Sequence, residues 1–203
     1  MRPSVFCLML CCLQYAASGK RIRSGNYGNN LVLVESKGIV YGQYQYRDKW
    51  NQGLGFFENV STFYFYGKRT KGDTVDLSVG TPELETTTGK LVVYANDSIA
   101  LFTDYSLGYA AVDLKKQGYN GKLSATIPHA RKLGIVKEHK CYFYNAPRQT
   151  KITRAYITKN EFVTVLKKRG NWYKVQYISP RNATATGNWI ESDALYDADP
   201  KKW

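Results

Sequence analysis

What most constrains this chain is the rhythm of its apolar residues, which alternate with a period of two and form no stripe at helical spacing after the first eighteen positions. Phe63-Tyr64-Phe65-Tyr66 and Val75-Asp76-Leu77-Ser78-Val79 show the pattern most clearly. Successive side chains of a strand point to opposite faces, so this rhythm describes strands with one face in a core and the other wet. The 17 tyrosines and 8 phenylalanines suit such half-buried surfaces. Strands are predicted at Leu31 to Val34, Ile39 to Tyr46, Gly55 to Gly67, Asp73 to Val79, Lys90 to Tyr94, Ile99 to Phe102 and Tyr109 to Leu114. Turn chemistry separates them, as at Lys71-Gly72-Asp73 and Ala95-Asn96-Asp97. The fold class expected for residues 19–130 is all-β: an antiparallel sheet closed into a barrel or stacked as a sandwich, acting in recognition. From Gly118 to Lys137 the alternation is lost, and Pro128-His129-Ala130-Arg131-Lys132 reads as a linker.

A length of 203 residues accommodates two compact units. Ahead of them, residues 1–18 have the layout of a cleaved secretory signal. Arg2 is its positive end, Val5 to Leu13 its short apolar run, and Ala16-Ala17-Ser18 its small-residue cleavage site before Gly19. The apolar run is too short to span a bilayer. A periplasmic or secreted protein is therefore expected. Lipid anchoring is disfavoured, because Leu10 precedes Cys11 and Cys11 precedes Cys12 where a lipoprotein signal has a small residue.

Removal of that segment leaves Cys141 as the one cysteine, which excludes an internal disulfide and makes the apolar core responsible for stability. Cys141 itself reads as a buried strand residue. The formal net charge of +13 is spread about evenly between residues 19–137 and 138–203. It favours acidic partners such as wall polymers, anionic headgroups or an acidic protein; export argues against nucleic acid, and membrane contact would be at most peripheral. Lys20 to Gly25 reads as a solvated basic tail.

The last third carries a more specific pattern. Cys141-Tyr142-Phe143-Tyr144 ends at Asn145-Ala146-Pro147, and Glu161-Phe162-Val163-Thr164-Val165-Leu166 alternates. Lys168-Arg169-Gly170-Asn171 then turns into Trp172-Tyr173-Lys174-Val175, and Gly187-Asn188-Trp189-Ile190 leads to Asp193-Ala194-Leu195-Tyr196. Residues 137–197 resemble the bacterial SH3 (SH3b) family in this order, with 198–203 as a tail. Asn188 departs from the pattern, standing between the glycine and the tryptophan that the family places together. Ala194-Leu195-Tyr196-Asp197 also spells the opening motif of eukaryotic SH3 domains, but here it closes the unit, so it predicts no Pro-rich peptide groove.

The resemblance implies a small C-terminal SH3-like barrel that binds peptidoglycan peptides or contacts proteins. A barrel this small fills its interior with large aromatics, so Trp172 and Trp189 are expected in the core first and in a ligand groove second. Tyr142, Tyr144, Tyr156 and Tyr173 are the stronger candidates for a groove, since a tyrosine presents a ring and a hydroxyl at a half-wet surface.

Catalytic motifs are missing. Cys141 lies in a strand with no following histidine, and no nucleophile elbow, Ser-x-x-Lys pair, zinc-binding helix motif or phosphate loop occurs. His129, His139 and Cys141 fit no standard metal spacing, and no cofactor is expected. Asp73, Asp76, Asp97 and Asp104 are the acids available for a carboxylate pair, and each has an ordinary reading as a turn or strand-face residue. Two functions remain. One is an exported non-enzymatic binding protein whose partner is peptidoglycan or an acidic envelope protein, its two modules gaining avidity together. The other is an immunity or inhibitor protein that occludes an exported toxin effector or a lysozyme-like hydrolase. The loops Asn51-Gln52-Gly53-Leu54-Gly55 and Ser179 to Thr186 are its candidate anchors.

Overall fold

The computed structural model describes residues 20–70, 72–81, 86–105, 113–179 and 185–196. The expected signal segment lies outside them. The chain is all-β, and of the two architectures foreseen for its first part, it is the closed antiparallel barrel that forms. Eight strands follow one another around it: β1 (Gly25–Tyr27), β2 (Leu31–Ser36), β3 (Ile39–Asn51), β4 (Phe56–Lys68), β5 (Thr74–Gly80), β6 (Thr87–Val93), β7 (Ser98–Thr103) and β8 (Tyr119–Thr126). β8 pairs back onto β1 through Gly25↔Thr126 and Asn26↔Ala125. The alternation turns Tyr27, Leu31, Leu33, Tyr44, Phe63, Phe65, Leu77, Leu91 and Leu101 inward, where they pack as one core. Eight strands enclose a space that side chains of this size can fill.

Two segments depart from expectation. The basic tail is anchored: Ile22 is buried, Lys20 pairs with Asp73 at 2.8 Å and Arg23 with Asp97 at 3.0 Å. One isoleucine among cations supplies the apolar contact that a reading of charge overlooks. The stretch from Gly118, read as patternless, holds β8. Its outward face is polar, carrying Lys122 and Ser124, and only Gly121 of its residues is buried, so β1 and β7 define it as a strand where its own composition does not. Of the predicted strand Tyr109 to Leu114, residues 109–112 lie outside the described residues; Leu114 is buried in the barrel core.

The second unit is a six-stranded antiparallel sheet ordered β11-β10-β14-β13-β12-β9, built from β9 (Lys132–Ile135), β10 (Lys140–Tyr144), β11 (Ile152–Thr158), β12 (Phe162–Arg169), β13 (Trp172–Ile178) and β14 (Ala185–Glu191). β9 comes from the segment read as linker. Val136, Cys141, Phe143, Ile157, Val163, Val165, Val175 and Ile190 form its core. Gly170 turns β12 into β13 with φ +55°, a left-handed conformation that glycine adopts without strain.

β12 is buried on both faces, and together with the apolar face of β9 it joins the two units. Val163 and Val165 face the second core, while Leu133, Ile135 and Phe162 pack on Val34 and Tyr64 of the barrel. The Tyr64 hydroxyl donates to the Asn160 carbonyl at 2.5 Å, and its ring meets Phe162 edge-on at 5.8 Å.

Burial raises the pKa of the phenols of Tyr27, Tyr44, Tyr64 and Tyr119 and pushes the Cys141 thiol up to about 12. Each group keeps its proton to higher pH folded than unfolded. Their stabilising effect is whole below the ordinary thiol and phenol values and is lost as pH climbs above them. The melting temperature is therefore expected to hold up to about pH 9 and to fall between about pH 9 and pH 11. A melting curve unchanged at pH 11 would contradict this account.

Candidate binding face

Strand geometry sorts the aromatic residues of the second unit. Cys141 and Phe143 of β10 point into the core, so Tyr142 and Tyr144 point out. Tyr142 stands opposite Tyr156 of β11, and Tyr144 opposite Trp189 of β14. On β13, buried Val175 sets the phase that places Trp172 and Lys174 outward. Tyr142, Tyr144, Tyr156, Trp172 and Trp189 thus share one outer face. Tyr142 and Tyr156 meet edge-on at 5.7 Å, and Tyr144 and Trp172 do so at 4.8 Å. Tyr142 and Tyr156 are exposed, while Tyr144, Trp172 and Trp189 are half-buried. Contrary to expectation, Trp172 and Trp189 do not fill the core; branched aliphatics and Phe143 do.

Tyr173 lies apart from the other five. It is in phase with Val175, packs against the core side, and has Lys132 at 5.0 Å and Lys168 at 5.8 Å from its ring. Its ring and hydroxyl suggested a place in the groove, but adjacent strand residues face opposite ways, which sets it apart from Trp172.

Cations border the aromatic face. Lys174 lies between Trp189 on β14 and Lys167 on β12, and Arg169 stands opposite Trp172. Among the described residues Lys167, Arg169 and Lys174 have no carboxylate partner. Like charges directly across a strand pair are unfavourable, so the Lys167/Lys174 pair is not there for stability. At one end a cleft of about 670 Å³ opens between Pro147, Arg148, Trp172 and Glu191. An aromatic surface edged by cations can stack on rings or apolar groups and attract anions at once.

A second exposed feature grows from the barrel. β3 and β4 run 13 residues each, yet β2 pairs with β3 only as far as Tyr44, and β5 pairs with β4 only from Tyr64. Beyond those points the two strands pair with each other alone, from Gln45↔Thr62 to Asn51↔Phe56. They make a ribbon about 20 Å long. Trp50 is 50% exposed and Leu54 at the tip is 63% exposed. Trp50 packs edge-on against Phe57 at 4.8 Å, and the Arg47 guanidinium lies 5.9 Å from the Phe57 ring. Asn51 closes the tip by accepting from the Leu54 and Gly55 amides. The turn at Asn51 to Gly55 and the length of β4 were legible, but β3 runs on to Asn51, past its expected end at Tyr46. The other loop candidate has residues 180–184 outside the described residues.

Three of the four candidate acids sit beside cations: Asp73 with Lys20, Asp97 with Arg23, and Asp104 with Lys115 at 3.2 Å. The Lys20 hydrogen bonds hold the Asp73 carboxyl below its ordinary range, which makes it a poor proton donor. Asp76 and Asp104 line one shallow groove with Lys90 and Lys115. Among the described residues no three histidine, cysteine or acidic side chains are grouped to hold a metal, and no helix is long and apolar enough to cross a membrane.

The fold and the exposed face define an all-β barrel protein with a second, aromatic-faced sheet. No family model, curated protein or solved structure matches the chain.

Proposed function

We propose that this chain is an exported, non-enzymatic binding protein of the bacterial envelope, in which an SH3b-like second unit engages peptidoglycan peptide or a wall-associated protein. The observation that carries this reading is the outer face of Tyr142, Tyr144, Tyr156, Trp172 and Trp189 with Lys167, Arg169 and Lys174 along its edge. Tyrosine, tryptophan and basic side chains at a surface suit recognition, because rigid rings lose little conformational freedom on binding.

The test is sedimentation of the chain on purified peptidoglycan across a salt series. The variant Tyr142→Ala/Tyr144→Ala/Trp189→Ala removes rings from outside the core and should keep the melting temperature within a few degrees. Wild-type pelleting that survives salt, with at least about a tenfold loss in the variant, is the expected result. Pelleting abolished at modest salt, or equal in wild type and variant, would reduce the contact to charge and overturn this reading.

The β3–β4 ribbon favours the second reading, occlusion of an exported toxin or lysozyme-like hydrolase. Exposed Trp50 and Leu54 at the end of a two-stranded arm have the shape of a plug for a partner's cleft.

A further inference from the structure

A cavity of about 400 Å³ lies where the barrel meets the second sheet, lined by Asn26, Asn30, Gln43, Gln45, Arg47 and Ser124 with Phe57, Phe162 and Ile178. Its polar wall follows from strand alternation. In Gln43-Tyr44-Gln45-Tyr46-Arg47 of β3 the tyrosines serve the barrel core and the other three side chains point out. On an isolated barrel they would be wet. Here Phe162 of β12 and Ile178 of β13 cover them, and Gln43 is only 1% exposed.

The covered groups are incompletely paired. Gln45 Nε2 donates to Thr62 Oγ1 at 3.3 Å, and Arg47 Nη1 donates to the Asn29 carbonyl at 3.3 Å. Gln43 Nε2, Arg47 Nε and Asn26 Oδ1 are buried with no hydrogen-bond partner. Nor does Arg47 have a carboxylate against it among the described residues. Burial lowers the pKa of its guanidinium, a sign that this cation is held partly away from water, where an anion would offset the loss of hydration. An unmade hydrogen bond on a buried group carries that group's full desolvation penalty, which a folded chain retains where a ligand completes the bond. The volume falls within the range of small-molecule sites.

We infer that this cavity binds the free carboxylate of a small N-acylated amino acid or of a peptide carboxy-terminus. The carboxylate accepts from Gln43 and Arg47, an adjacent amide N–H donates to Asn26, and a small side chain rests on Phe57, Phe162 and Ile178. The site is separate from the aromatic face and does not rest on the function proposed for it.

Calorimetric titration of the whole chain with N-acetylalanine, N-acetylalanylalanine and the carboxy-terminal amide of the latter is the test. At least one of the two acids should bind and raise the melting temperature, while the amide binds at least about tenfold more weakly. Arg47→Gln should weaken the acid by a similar factor. Gln43→Met, which removes the orphaned donor at nearly constant size, should lose affinity while melting no lower than wild type without ligand. The variant Tyr142→Ala/Tyr144→Ala/Trp189→Ala should bind the acid as wild type does, which separates this site from the aromatic face. No binding of either acid at millimolar concentration, equal binding of acid and amide, or unchanged affinity in Arg47→Gln would overturn the inference and leave a cavity holding water.

Discussion

Phe65→Ala is expected to destabilise the barrel by about 3–5 kcal/mol, the range for removing a buried phenylalanine ring from a core that cannot collapse around the gap. The site also makes a sharper prediction through its cross-strand partner. Phe65 stands opposite Gly42, and a β-carbon added at Gly42 would overlap the Phe65 ring itself. The ring covers the glycine, filling the interior volume that a larger residue on β3 would otherwise occupy. Gly42→Ala is therefore expected to lose about 1–3 kcal/mol through overpacking, although alanine in a strand is ordinarily no worse than glycine. In Gly42→Ala/Phe65→Leu the smaller side chain makes room for the methyl. The double variant should accordingly lose less than the two single losses added, which chemical denaturation of the four proteins measures. Strict additivity would mean that the ring does not depend on the glycine.

The second large effect concerns the joint between the units. Phe162 is the β12 residue that packs on Tyr64 and Val34 of the barrel, beside Leu133 and Ile135. Phe162→Ala is expected to lose about 3–5 kcal/mol, whereas Phe162→Leu, which keeps most of the volume, should lose under about 1.5 kcal/mol. The form of the transition should change as well. A buried apolar cluster shared by both units couples their unfolding, so the wild type is expected to melt in one step by calorimetry. Phe162→Asp puts an unpaired charge into that cluster and should separate the melting of the barrel from that of the second sheet. Two transitions already present in the wild type would show that the cluster does not couple them.

The physical basis of these predictions was only partly legible in the residues. Alternation at Phe63 to Tyr66 and at Val75 to Val79 predicts β4 and β5 because each carries its own period-two record of inside and outside. The same holds for β10, where Tyr142 and Tyr144 alternate with buried Cys141 and Phe143, whereas the period of β12 did not show that both of its faces are buried. Five of the six aromatic candidates for binding come together for this reason. Tyr173 is separated from them by the same rule, since its phase is set by Val175 and not by its neighbour Trp172.

By itself, then, the sequence determined an all-β chain, the approximate places of most strands, and the aromatic and basic character of the second unit, because period-two patterning and turn residues are local properties. Closure of the barrel by β8, burial of Ile22, entry of β9 into the second sheet and the orphaned polar groups at Gln43 and Arg47 were decided only by the tertiary structure. Each depends on a surface brought from a distant part of the chain. A polar strand face and a polar face about to be covered look the same until the second unit is laid against it, and neither composition nor spacing records which element will do so.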